Sequence, residues 1–364
     1  MYRMSATGKV RWAHCLARFI VSTILFSTTI SVVLAQDTQY SQFYGYPVYM
    51  NAALTGSQSG TYRVSSAYRN QWARSLDNPF TSFSIAGDFR INLNENKKFP
   101  DFAGAGLIFS ADQVAVFNYN TYQIALVGAY HKSLSPRQNT YLSAGIYLGL
   151  GQRSVNYNNL RFEDQFNGQD AYSFATNELL PANNFAHPDL GVGLNFATTP
   201  KKNTGYYFGA SYYHLNEPLI SFYGNDRDID VVQENSVLHS RITAHAAASL
   251  PLHNLLTVLP RVIYNIQGSH SSLTFGANLR QQIYEAEASF IHFGAWMRST
   301  RSLTVFQPTD ATVFVGFELK GLLMGLSYDI YLREIAGQVG TGTFEFTISY
   351  TGSHENFAQI CPSF

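Results

Sequence analysis

From residue 80 the chain alternates. Phe83, Ile85, Phe89 and Ile91 share one parity with Gly87, while Ser82, Ser84, Ala86, Asp88 and Arg90 take the other. A period of two marks an extended strand with one apolar and one polar face. In a soluble sheet the apolar face is core and the polar face meets water. In a membrane barrel the apolar face meets lipid and the polar face looks into a wet lumen.

The same alternation recurs down the chain. It predicts strands near 61–70, 80–92, 103–111, 121–131, 140–151, 189–198, 206–215, 237–250, 255–265, 272–283, 289–298, 311–320, 322–333 and 343–350. In the fifth, Leu142, Ile146, Leu148 and Leu150 oppose Tyr141, Ser143, Gly145 and Tyr147. In the eighth, Leu238, Ile242, Ala244 and Ala246 oppose His239, Arg241, Thr243 and His245. In the last, Phe344, Phe346 and Ile348 oppose Glu345 and Thr347. About fourteen strands of about nine to thirteen residues suit tilted bilayer crossings, and an even count brings both ends of the wall to one side.

The connections decide between lipid and core. Taking the first strand as leaving the periplasm, the even-numbered gaps, such as Lys132–Asn139, Pro251–Asn254 and the tight Lys320-Gly321, are all short. The odd-numbered gaps include Gln152–Pro188 and Asn216–Ser236. A soluble sandwich has no reason to sort its loops by length, whereas bacterial outer-membrane barrels do. The fold class expected is therefore all-β: a transmembrane antiparallel up-and-down β-barrel of about fourteen strands, with an irregular N-terminal segment.

Composition agrees. Charged residues make up 13% of the 364, with 24 Tyr, 27 Phe and 27 Gly. The mean hydropathy is close to neutral, which excludes a helical membrane protein. Basic and acidic residues balance at 24 each, giving no electrostatic case for a nucleic-acid partner. Residues 1–35 read as a signal peptide. Arg3, Lys9, Arg11 and Arg18 precede an apolar run from Phe19 to Leu34, with cleavage expected after Ala35. Residues 36–60 read as an irregular periplasmic segment that can tuck into the barrel mouth, 61–350 as the barrel, and 351–364 as a tail. Cys361, alone in the mature chain, cannot close an internal disulfide.

No motif for catalysis, cofactor or metal stands up. Asp226, Asp228 and Asp230 alternate, but the Gly and distant Glu of a calcium loop are not in place. His239 and His245 share a face about 20 Å apart along a strand, too far to ligate one metal, and read as lumen lining. Gly104-Ala-Gly106 and Gly191-Val-Gly193 lie inside strands and lead into no helix, so close packing or strand bending explains them better than phosphate binding. A Ser-His-Asp set assembled across strands would make an outer-membrane hydrolase, and an open lumen would make a porin or hydrophobic-solute channel. Asp88, Arg90, Arg241, Glu318, Asp329 and Glu345 fall on the polar parity, as a hydrated or salt-bridged lumen requires. Arg69, Asn70, Gln71 and Trp72 sit at the first extracellular turn. They read either as a partner-binding surface or as an interfacial aromatic anchor with polar neighbours.

Several stretches together resemble the PorP/SprF family over essentially the whole mature chain. They are Gln36-Asp37, Tyr40-Ser41-Gln42-Phe43-Tyr44, Asn51 to Gly56, Tyr68 to Trp72 with Pro79 to Ser82, Tyr206 to Pro218, Trp296 to Arg298, Leu326 to Asp329, and the closing Cys361 to Phe364. Ala52 stands where the family usually has Pro, and Ser363 where a basic residue is common. The resemblance implies a non-enzymatic, cofactor-free outer-membrane component of the type IX secretion system of Bacteroidetes, often coupled to gliding motility. It implies contact with outer-membrane lipid, with the periplasmic ring proteins PorK and PorN, and with secreted clients or adhesins.

Overall fold

A computed structural model describes residues 37–73, 79–93, 100–115, 118–137, 139–201, 203–223, 237–283, 288–302, 305–333 and 342–353. The expected signal peptide, the Asp226–Asp230 run and Cys361 lie outside the described residues. Strands β1 (Tyr62–Gln71), β2 (Phe80–Asn92), β3 (Phe102–Val114), β4 (Tyr119–Ser133), β5 (Thr140–Val155), β6 (Asn184–Lys201) and β7 (Thr204–Tyr213) form one half of the wall. The other half is β8 (Arg241–His253), β9 (Leu256–Gln267), β10 (His270–Gln282), β11 (Ser289–Ser302), β12 (Val305–Leu319), β13 (Leu322–Tyr331) and β14 (Gly342–Gly352).

Each strand pairs with its sequence neighbours, and β1 closes on β14 from Tyr62↔Gly352 to Gln71↔Thr343. The result is a closed barrel of fourteen antiparallel strands, leaving no open sheet edge among the described residues. The wall is inside-out relative to a soluble protein. Leu126, Leu150 and Leu194 are about 60% exposed on the outer surface, whereas Ser84, Asp189 and Glu345 are fully buried inside. The alternation therefore puts its greasy parity toward lipid.

Antiparallel order sorts the barrel into two ends. The turn end carries the short gaps, the start of β1 and the finish of β14. Its tightest connection is Lys320-Gly321, where both residues have positive φ (45° and 87°), the backbone of a two-residue hairpin. The loop end carries the long excursions between β5 and β6 and between β7 and β8.

Strand β8 begins later than the pattern suggests. Leu238 is buried rather than outward-facing, and its amide donates to the Pro218 carbonyl. The chain there is still folding back from the β7–β8 loop, so a local apolar residue mimics the strand parity. Strand β6 begins earlier, and its Pro188 lies beyond the end of β7, where no ladder donor is needed from it. Asn216 takes the missing neighbour's place. Its side-chain amide donates to Pro188 O at 2.8 Å, and its oxygen accepts from Leu190 N at 3.2 Å.

Residues 37–60 run inside the wall and occupy much of the interior. The segment expected to tuck into the barrel mouth hydrogen-bonds to inward-facing wall residues. The segment is held by short-range polar contacts with inward wall residues from the loop end at Asp37 to the turn end at Gly56. It contains a 3-10 turn at Phe43–Gly45, one α-helical turn at Pro47–Met50 and a second 3-10 turn at Ala52–Leu54. A lumen lined by charges demands polar partners, and a chain rich in backbone amides, Gln, Asn and Tyr supplies them.

Candidate functional site: the lumenal plug and the cavity beneath it

At the loop end, Asp37 meets three strand-end residues. His214 Nε2 lies 2.7 Å from its carboxylate, Arg241 2.9 Å, and the Gln267 side-chain oxygen accepts from its amide at 3.0 Å. The other ring nitrogen of His214 reaches Asp189 at 2.8 Å. Burial pulls the His214 pKa down, but Asp37 and Asp189 outweigh it and raise the group to about 9. Burial likewise pushes Asp37 up, but His214 and Arg241 hold it well below the usual carboxylate range. The pair is thus charged at neutral pH and pins this end of the segment.

A second junction surrounds Ser41 and Gln42. Their backbone amides donate to the two oxygens of Glu345 at 2.8 and 2.7 Å. Ser41 Oγ donates to Asp329 at 2.7 Å and accepts from Arg69 at 3.0 Å and Arg298 at 2.8 Å. Arg69 bridges Glu345 (2.8 Å) and Asp329 (3.0 Å). Buried carboxylates survive here because each is met by a guanidinium or backbone N–H. Beside it, Tyr44 packs edge-on against Trp296 and Phe314, with ring centres 5.4 and 5.5 Å apart.

Lower down, the wall makes room by omitting side chains. A Cβ at Gly193 would collide with the Asn51 side-chain oxygen, and one at Gly104 with the Thr55 carbonyl. One glycine of each strand-borne Gly-x-Gly run, Gly104 and Gly193, therefore makes room for the segment. His245 Nε2 lies 3.2 Å from the Asn51 amide, and His131 reaches Thr55 O at 2.7 Å. His239 falls before β8, where its carbonyl accepts from Gln267, so the two histidines are not strand-mates. Nearest the turn end, Asp88 accepts from Gly56 N at 2.7 Å and pairs with Arg63 at 2.9 Å.

The four residues expected at the first extracellular turn separate. Arg69 faces inward, buried in the Ser41 junction. Gln71 also points inward and donates to Tyr331 OH at 3.1 Å. Asn70 is half-buried on the outward parity. Trp72, at φ +62°, closes the strand at the rim, edge-on to Phe80 at 5.2 Å. The inward role of Arg69 had a signal, because Arg63, Ser65, Ala67 and Arg69 share one parity of β1. Ser41 as its partner had none, because nothing local says where an aperiodic stretch goes.

Beneath the segment, on the turn-end side of the β8–β14 half, lies a cavity of about 610 Å³. Tyr44, Gly45 and Pro47 line it from the plug, and Arg261, Asn278, Arg280, His292 and Glu318 from the wall. Arg261 bonds Asn278, whose amide lies 3.0 Å from His292 Nδ1. His292 Nε2 lies 3.1 Å from Glu318, which Arg280 grips with two bonds at 2.7 and 2.8 Å.

A family model described as type IX secretion system membrane protein PorP/SprF matches residues 32–350. No curated protein matches the chain. Among solved structures it is similar to a Pseudomonas aeruginosa FadL homologue, at 10% identity, covering 87% of this chain and 99% of that one, with a TM-score of 0.47. It is similar to the CymD monoaromatic hydrocarbon channel at 8% identity, covering 86% and 93%, with a TM-score of 0.49. The translocator domain of the autotransporter NalP from Neisseria meningitidis follows at 8% identity, covering 80% and 88%, with a TM-score of 0.32. These likenesses carry no argument about cargo, and the barrel is read from its own strand pairing.

Proposed function

This chain belongs to the PorP/SprF family of type IX secretion system membrane proteins, and from that membership we propose an outer-membrane barrel that works by binding, without catalysis. In this reading it supports the secretion or surface attachment of client proteins such as gliding adhesins. The loop end faces outward and holds the client. The turn end meets the periplasmic machinery, including the ring proteins PorK and PorN.

One observation supports binding over conduction. The stretches that carry the family resemblance converge on the plug. Asp37 meets His214, Ser41 and Gln42 meet Arg69, Arg298, Ser327 and Asp329, and Asn51 docks against β6. Residues spent on filling the lumen are residues not spent on a permeation path. A single-channel conductance trace discriminates: a steady open state would favour the porin or solute-channel reading.

The outward candidates for client contact are the loops within Gln152–Pro188 and Asn216–Ser236. The first exposes Phe174 and Leu179, the latter at 81%. Trp72 and Asn70 are the remaining rim candidates. Deleting either loop should leave insertion intact and lower surface display of one client. Unchanged display after both deletions removes the proposal.

A further inference from the structure

The cavity at the turn end is unlike the rest of the lumen in its charge balance. Among the described residues, Arg63, Arg137, Lys201, Arg261 and Arg280 line it against one carboxylate, Glu318. Arg63 is satisfied by Asp88, and Arg280 by Glu318. Arg261 is 9% exposed, and none of the ion pairs among the described residues includes it. Its described partners are one hydrogen bond to Asn278, the face of Tyr44, 4.3 Å from the guanidinium carbon, and the electrostatic influence of Tyr207, none of them an anion. A guanidinium carries five donors, so most of its capacity is unspent. The Tyr44 hydroxyl beside it is buried with no hydrogen-bond partner among the described residues.

An isolated buried cation and an unpaired hydroxyl are costly unless something completes them. Both line one cavity, and both can donate to a carboxylate placed there. The hydrogen-bonded run Asn278–His292–Glu318–Arg280 fixes Arg261 from behind while Glu318's charge is absorbed by Arg280. The rim is cationic too: Arg137, on the β4–β5 turn, and Lys201, at the end of β6, are exposed and line the mouth. A volume of about 610 Å³ is far more than one carboxylate fills and is typical of pockets that enclose a larger ligand.

We propose that this turn-end cavity is a docking site for an acidic polypeptide segment, whose carboxylate is received by Arg261 and Tyr44 while further acidic residues meet the Arg137 and Lys201 rim. The site deepens the proposed function and rests on its orientation of the barrel, since a segment entering here comes from the periplasm. An extended acidic chain suits a site whose cations run from the rim to the floor, where a lone small anion would use the floor alone.

The test is fluorescence anisotropy on the full purified chain in detergent, with a short glutamate-rich peptide and its glutamine counterpart. The acidic peptide should bind, with affinity falling as salt rises, and the glutamine peptide should not. Arg261→Gln should weaken binding at least about tenfold. Tyr44→Phe keeps the ring packing and should weaken it about fivefold. It also decides the matter if Arg261→Gln fails to insert. Equal binding of both peptides, or binding indifferent to both substitutions, overturns the site. Displacement of the peptide by equimolar acetate or inorganic phosphate marks a free-anion site and overturns the polypeptide assignment. Neither readout involves client display, so a failed loop deletion and a failed peptide titration sink different claims.

Discussion

The two ends of the lumen use the same side-chain types to opposite effect. At the loop end, Glu345 and Asp329 are fully buried, and their oxygens receive plug amides, the Ser41 hydroxyl and the Arg69 guanidinium. At the turn end, Glu318 and Arg280 remain 24% and 31% exposed, bordering an open cavity. The first set is built around the polypeptide that occupies it. The second borders a cavity that none of the described residues fills. The difference lies less in the charges than in whether backbone reaches them.

The sharpest way to break this comparison is Glu345→Ala. It strips the acceptor from two buried plug amides and from Arg69, and should cost about 3–5 kcal/mol in thermal unfolding of the detergent-solubilised barrel. A loss below about 1 kcal/mol would mean that the loop-end network does not hold the plug.

Next comes pH. His214 faces Asp37 and Asp189, with Arg241 also on Asp37. Its folded pKa of about 9 stands above its ordinary 6.5, a difference worth on the order of 3 kcal/mol. That stabilisation is fully present below the ordinary value and is lost as pH rises through about 9. Asp37, held low, contributes the opposite limb: its stabilisation is present above the ordinary carboxylate range and fades as acid protonates it. Hydrogen exchange in residues 38–46 should therefore accelerate, beyond its intrinsic pH dependence, between pH of about 8 and 10. In His214→Gln that excess should vanish.

Gly193→Ala probes the middle of the plug. Its Cβ would collide with Asn51, and over-packing of this kind costs about 1–3 kcal/mol. Exchange at Ala53 should rise, because its amide depends on the Asn51 side chain at 2.9 Å. An unchanged protection pattern would show that the segment yields without leaving its groove.

The smallest effect is expected at the turn end, where Glu318→Gln should cost only about 1 kcal/mol, since cavity water can solvate the groups it abandons. A cost equal to that of Glu345→Ala would erase the distinction between the two ends.

Much of this architecture was legible locally. The period of two marked the wall and its outward parity, since a strand's neighbours on each face are set two residues apart. The length-sorted gaps marked the two ends, because antiparallel order forces alternate connections to the same side. The Gly-x-Gly runs were readable as close-packing sites, although not what they would be packed against. Where local pattern and tertiary path competed, as at Leu238 and His239, parity alone misplaced the start of β8.

By itself, then, the sequence determined a membrane-facing barrel, because lipid contact is a property of each strand taken singly. Only the tertiary structure decided that residues 37–60 run inside it, and that Arg69 is buried against Ser41. An aperiodic stretch has no face of its own. Its path is set by carboxylates and glycines that lie up to about three hundred residues away along the chain and adjoin it only once the wall has closed.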